Sequence, residues 1–278
     1  MNRILSVCKR IVMEALRYLL WLLRYQSSSK DEPGSNKGVK VVVSGNGPSA
    51  KEFPFAKFQE QGYDICCVNF FALDEERFFS VKPRFYCCVD PAFADPEYLK
   101  TADCQRLLHA LDRVDWDLQF ICYKGEHLPI SNPRITLRYV NRNVLFGPLS
   151  PLKNRIYSRN MASCGFQNVM VSAVYYFVMT KADHILLTGV ENNWHLELFV
   201  GENNDVYRRD THFYGTETIN LTQIGDIGKG QLYLYFDWYA LTLKQYASMA
   251  EFAAMNGVLV ENCCCDSFID VFPKKRID

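Results

Sequence analysis

Lys40-Val-Val-Val-Ser-Gly-Asn-Gly-Pro-Ser-Ala50 decides the fold of this chain. The β-branched run Val41–Val43 suits a strand covered on both faces, as in a parallel sheet. Gly45 and Gly47 then permit a sharp turn and close approach of the backbone to a ligand. Pro48 fits the first helical position, where a missing N–H leaves nothing unsatisfied. A strand that hands its chain through such a turn to a helix has the layout of a phosphate site. The free N–H groups and the positive dipole end of the helix favour an anion there.

Working outward, apolar strand-like runs alternate with helix-like stretches. Strands are predicted at Lys40–Ser44, Tyr63–Val68, Arg84–Val89, Leu118–Tyr123, Ile135–Val140, His184–Thr188 and Val258–Asn262, and helices at Pro96–Leu111, Gly165–Thr180 and Gln231–Asn256. This alternation predicts an α/β fold, a Rossmann-like parallel sheet with helices on both faces. In such sheets ligands bind beyond the carboxyl ends of the strands. The residues there are Ser44-Gly-Asn-Gly47, Asn69-Phe-Phe71, Asp90-Pro91 and Gly189-Val-Glu-Asn-Asn193. Gly45, Gly47 and Ala50 formally fit a dinucleotide fingerprint, which needs an acid after the second strand to hold the ribose. Asn69 stands there instead, and no P-loop lysine follows, so the reading is a nucleotide site for something other than NAD.

Basic and acidic residues balance, 31 against 31, so the whole chain carries no electrostatic signature of nucleic-acid binding. Among the 11 cysteines no C-x-x-C pair occurs. The doublets Cys66-Cys67 and Cys87-Cys88 fall in strand-like runs, where neighbours point to opposite faces and are poor chelators or disulfide partners. Buried reduced thiols, and hence a cytoplasmic location, are expected.

Residues 1–25 carry Arg3, Lys9, Arg10, Arg17 and Arg24 against Glu14 alone. At helical spacing Arg3, Arg10, Glu14, Arg17, Trp21 and Arg24 share one face, and Leu5, Cys8, Val12, Leu16, Leu19 and Leu23 the other. The uncharged run Tyr18–Leu23 is too short to span a bilayer, and the charges interrupt any secretory-signal core. The expectation is an amphipathic helix in a membrane interface, peripheral on the inner membrane. Packing on the body or a partner is the other reading of this pattern. Residues 26–37 read as a flexible linker, and 38–278 as the main domain. Within it, about 191–230 lacks a long apolar period and is expected to be a lid. That stretch holds Tyr207-Arg-Arg-Asp-Thr-His-Phe-Tyr-Gly215. Arg208 and Arg209 suit a phosphate, and His212 suits proton transfer.

These strand-end motifs resemble the bacterial lipooligosaccharide sialyltransferases, enzymes with one Rossmann-type domain and a lid. Gly45-Asn-Gly-Pro-Ser49 matches the family's G-N-G-P-S loop residue for residue. Cys67-Val-Asn-Phe70, Phe85–Pro91, Arg159–Gly165 and Thr188-Gly-Val-Glu191 are similar to the family's later motifs, with Asp90 for Asn and Glu191 for Asp. The lid motif H-Y-x-G-H stands here as His212-Phe-Tyr-Gly-Thr216. Its second histidine, the family's general base, is therefore Thr216, which cannot act as a base near neutral pH. His212, or a carboxylate such as Asp90, Glu191 or Asp210, would have to take that task.

The resemblance implies a glycosyltransferase that moves an acidic sugar, sialic acid or Kdo, from a CMP-sugar donor to a lipid-linked or lipopolysaccharide acceptor. No cofactor or metal is expected, the only Asp-x-Asp being Asp115-Trp-Asp117. It implies donor contacts from Gly45, Asn46, Gly47, Pro48, Ser49, Asn69, Asp90, Ser163 and Glu191. His212, Tyr214, Arg208 and Arg209 would form the catalytic group. A non-catalytic or pterin-binding Rossmann protein of the cell envelope is the alternative.

Overall fold

The computed structural model describes residues 2–24, 34–126, 128–212, 215–225 and 227–277. Seven strands build one sheet: β1 (Lys40–Ser44), β2 (Tyr63–Val68), β3 (Phe85–Cys87), β4 (Leu118–Tyr123), β5 (Ile135–Val140), β6 (His184–Thr188) and, last in the chain, β10 (Leu259–Asn262). Their order is β10-β6-β1-β2-β3-β4-β5, and every pairing is parallel. The expected Rossmann-like α/β sheet is therefore present. The chain runs outward from β1 to β5 and then returns to the other side of β1 as β6, which makes β1/β6 the switch point where ligands bind in such sheets.

The apolar strands are apolar because both faces are covered. Val41, Val43, Cys66, Phe85 and Cys87 join the core on one side, and Val42, Cys67, Tyr86, Cys88 and Cys122 the core on the other. The adjacent cysteines thus point to opposite faces as free buried thiols. Burial pushes the Cys87 thiol up to about 12, so it is inert near neutral pH.

Short helices α2 (Phe55–Glu60), α3 (Glu75–Val81), α4 (Pro96–Leu99) and α5 (Ala102–Asp112) follow the first strands, and α6 (Pro151–Tyr157) and α7 (Val169–Met179) precede β6. The single helix expected over Pro96–Leu111 is two, because Thr101 takes an extended backbone between them, its hydroxyl donating to the Tyr98 carbonyl at 2.7 Å. Helix α7 is apolar all round and buried from Met170 to Met179, lying between the sheet and the long α8 (Leu232–Asn256).

The region expected as a lid is an antiparallel sheet of β7 (Leu198–Val200), β8 (Val206–His212) and β9 (Gly215–Asn220). It has a small core of its own in Val206, Leu221, Ile227 and Tyr235. Alternation along β8 is polar on both faces, which hid these strands from a search for apolar runs.

The N-terminal helix, α1 (Asn2–Arg24), packs on the body through its polar face. Trp21 is buried and its Nε1 donates to the Met161 carbonyl at 3.5 Å, while the Tyr18 hydroxyl meets Ser150 Oγ at 3.1 Å. Lys153, fully buried on α6, donates to Glu14 Oε2 at 3.2 Å, and Arg17 pairs with the other carboxylate oxygen. The expected linker closes on the body at its end: Asn36 is buried and donates to both the carbonyl and the hydroxyl of Thr180. Residues 26–33 of it lie outside the described residues.

Burial works against the Glu14 carboxylate, but the hydrogen bonds from Lys153 and Arg17 prevail and hold its pKa below 4.5. A folded-state pKa below the unfolded one stabilises the protein above the unfolded value, and the benefit fades as pH falls through the folded value. Stability should therefore drop on acidification below about pH 4.5, and Glu14→Gln should flatten that acid limb in urea melts taken at successive pH values. An unchanged limb would remove Glu14 from the account.

Candidate functional site

The loops after β1 and β6 interlock at the switch point. Gly45 N–H donates to the Thr188 carbonyl at 2.8 Å and Gly47 N–H to the Gly189 carbonyl at 3.0 Å. In return Gly189 N–H donates to Ser49 Oγ at 3.2 Å, and Ser49 N–H to Glu191 Oε1 at 2.6 Å. The glycines serve space here. Gly47 has φ −68° and ψ 160°, a conformation open to any residue. A Cβ on Gly45 would lie 2.3 Å from the Gly189 carbonyl oxygen, and one on Gly47 only 1.7 Å from Glu191 Oε2. Both glycines thus admit the opposite loop, and both also line the cavity described below.

Pro48–Glu52 forms a short 3₁₀ helix with Pro48 in its first turn, as the sequence suggested. Its Ser49 N–H donates to the Glu191 carboxylate. The helix end that opens into the site belongs to α7. Its Asn168 cap accepts from Met170 N–H at 2.8 Å, and Phe166–Met170 line the cavity described next.

That cavity, about 480 Å³ in volume, lies over the carboxyl ends of β1, β2, β3 and β6 and is roofed by β8. It brings together Gly45, Asn46, Gly47, Pro48, Asn69, Asp90, Glu191, Arg209 and His212 of the expected set. Ser49 sits behind the wall and holds Glu191. Of the other expected residues that are described, Ser163 and Arg208 do not join. Ser163 is buried in a β-bridge with Val144, its Oγ accepting from Gly165 N–H at 3.1 Å. Arg208 turns away from the cavity and donates to Asp210 Oδ2 at 2.6 Å. Burial alone would lower its pKa, but the charge of Asp210 and contact with Tyr235 raise it. Tyr214 lies outside the described residues. Thr216 is exposed on β9 opposite Thr211 and faces a smaller depression of about 280 Å³. Asp210 and His212 line both spaces. Asp210 thus bridges Arg208 on one oxygen and His212 Nε2, 3.4 Å away, on the other.

Five side chains on the cavity wall carry buried polar atoms with no hydrogen-bond partner among the described residues: Asn46 Oδ1, Asn69 Oδ1, Glu191 Oε2, both amide atoms of Asn192 and the Tyr246 hydroxyl. Asn46 is oriented by its Nδ2, which donates to the Val68 carbonyl at 3.3 Å. Asn69 and Asn192 also have φ of 46° and 51°, left-handed values that asparagine tolerates better than most residues. A buried polar atom without a partner costs about 1–3 kcal/mol. Several around one cavity call for a hydrogen-bonding occupant, solvent or ligand.

Sequence reasoning missed Gln167, Asn168, Trp194 and Tyr246 on this wall, while Asn192 lies in the strand-end segment Gly189–Asn193 that it singled out. Tyr246 sits mid-helix on α8 and carried no signal. No protein-family model, curated protein or solved structure matches this chain.

Proposed function

We propose that the protein is a glycosyltransferase that takes its sugar from a CMP-activated donor. The observation that carries the reading is the ring of partnerless acceptors at the switch point: Asn46 Oδ1, Asn69 Oδ1 and Glu191 Oε2. Ribose hydroxyls and the exocyclic amine of cytosine are the donors such a wall would satisfy. The volume suits a ligand of nucleotide size. The match of Gly45–Ser49 to the G-N-G-P-S loop supports the same donor class.

In this reading Arg209 and the N-terminal end of α7 neutralise the leaving phosphate, and Tyr214 remains a candidate support for it. His212 accepts the proton of the acceptor hydroxyl while its oxygen bonds to the anomeric carbon. The bond from that carbon to the phosphate oxygen breaks, and CMP leaves with the electron pair. Asp210 holds the imidazole and stabilises the cation that forms, as the carboxylate does in hydrolase triads. The transferred sugar is sialic acid or Kdo, and the acceptor is lipid-linked or a lipopolysaccharide.

A second reading has one observation in its favour. The free oxygen of Glu191 beside amide acceptors would equally receive the N–H edge of a pterin, in a protein that binds without turnover. Mass spectrometry after incubation with CMP-sialic acid and with CMP-Kdo separates the two. Release of CMP from either donor supports the transferase. Intact donors alongside tight pterin binding would replace it.

Asn69→Gly tests the wall itself. Glycine adopts φ 46° without strain, so the fold should keep its melting temperature while affinity for CMP falls about 10-fold through the lost hydrogen bond. Unchanged affinity in isothermal titration would remove Asn69 from the site.

A further inference from the structure

A free interfacial helix turns its charged face to water and headgroups, yet α1 turns Glu14, Arg17, Tyr18 and Trp21 to the body. Its apolar face is left outside. Val12, Leu16, Leu19 and Leu23 line the middle of that face, flanked by Met13, Leu20 and Leu22, all between 42% and 75% exposed. Exposed apolar surface in one continuous stripe marks an interaction site.

The width of the stripe selects the occupant. A seam for a second helix uses about two positions in seven. Here seven of the twelve residues Val12–Leu23 are apolar and outward, spread over about half the circumference at helical spacing. That width fits an extended apolar phase. Charge agrees: Arg3, Lys9, Arg10 and Arg24 make this segment cationic in a chain of zero net charge, which complements anionic lipid. Among the described residues no helix is long and apolar enough to cross a bilayer, so contact is at the surface.

We propose that α1 is a lipid-facing panel of the folded body rather than a tether: the Glu14–Lys153 pair clamps its polar face, and its apolar face lies on an anionic bilayer. The clamp is asymmetric. Lys153 is fully buried, and Glu14 is the carboxylate it pairs with, so undocking α1 strands a charge inside the protein. Gly147 keeps the clamp tight, because a Cβ there would lie 2.6 Å from Arg17 Nη1. Membrane contact therefore fixes the orientation of the whole body, including its cavity. This inference is independent of the reaction assigned to that cavity.

The test is a double dissociation on the full chain. The triple variant Leu16→Glu, Leu19→Glu, Leu23→Glu should keep its melting temperature within about 2 °C, these positions being exposed. It should lose co-sedimentation with phosphatidylcholine vesicles containing phosphatidylglycerol. Glu14→Ala should melt about 8 °C lower while any folded fraction still sediments with the same vesicles. The wild type should bind these at least ~10-fold better than pure phosphatidylcholine. Four results overturn the proposal: vesicle binding by the triple variant equal to wild type, no binding by wild type, a wild-type dimer that the triple variant dissolves without lipid, or unchanged melting of Glu14→Ala, which would make α1 a tether.

Discussion

His212→Ala is expected to lower turnover of the CMP-activated donor by at least ~10²-fold with little change in donor affinity. His212 ends β8 where the main cavity and the smaller depression adjoin, so its ring reaches a hydroxyl arriving from one side and a donor held on the other. Thr216, the position suggested by the resemblance, faces only the smaller space. Asp210 strengthens the assignment, since Arg208 fixes one of its oxygens and leaves the other for the imidazole. Asp210→Asn should therefore reduce turnover too, by about 10-fold or more, with donor affinity intact. Stopped-time assays of CMP release, with affinity measured separately by calorimetry, check both. Full activity in His212→Ala would pass the role of base to a carboxylate on the wall.

Gly45→Ala carries the largest expected effect on the fold. The new methyl would meet backbone, the Gly189 carbonyl oxygen at 2.3 Å and its carbon at 3.1 Å, so no side chain can swing aside. The β1 and β6 loops must part, which breaks or bends the Gly45–Thr188 and Gly47–Gly189 hydrogen bonds. Such overpacking costs about 3 kcal/mol, or a melting temperature lower by roughly 8 °C for a chain of this size. It should also abolish nucleotide binding, because Asn46 and Glu191 sit on the parted loops. Gly47→Ala differs instructively. Its methyl would displace the Glu191 carboxylate, a side-chain end, so binding should suffer more than stability. Thermal melts of the two variants, with and without nucleotide, distinguish these outcomes. Equal stability for Gly45→Ala and wild type would contradict the interlocked geometry.

Much of this was legible in the residues themselves. Val41–Val43 and Ile185–Leu187 announce strands buried on both faces, and with intervening helices they lead to the parallel sheet and its switch point. Asn46, Asn69, Asp90 and Glu191 follow from the rule that ligands lie beyond strand ends. Less legible was what a residue does once there. Gly45 and Gly47 read as a phosphate cradle, yet they make room for Gly189 and Glu191, a contact between segments about 140 residues apart that no local pattern encodes. Arg208 and Arg209 look alike in sequence, but strand alternation sends Arg208 to Asp210 and Arg209 to the cavity. That alternation was hidden because β8 is polar on both faces. Likewise the arginine-bearing face of α1 reads as solvent-facing until Lys153, some 140 residues onward, supplies its partner.

The most direct test of the central claim is calorimetric titration of the full chain with CMP, alongside Asn46→Ala and Glu191→Ala. CMP should bind the wild type, and each variant should bind it at least ~10-fold more weakly. Absence of CMP binding, with a pterin or another nucleotide bound in its place, would contradict it.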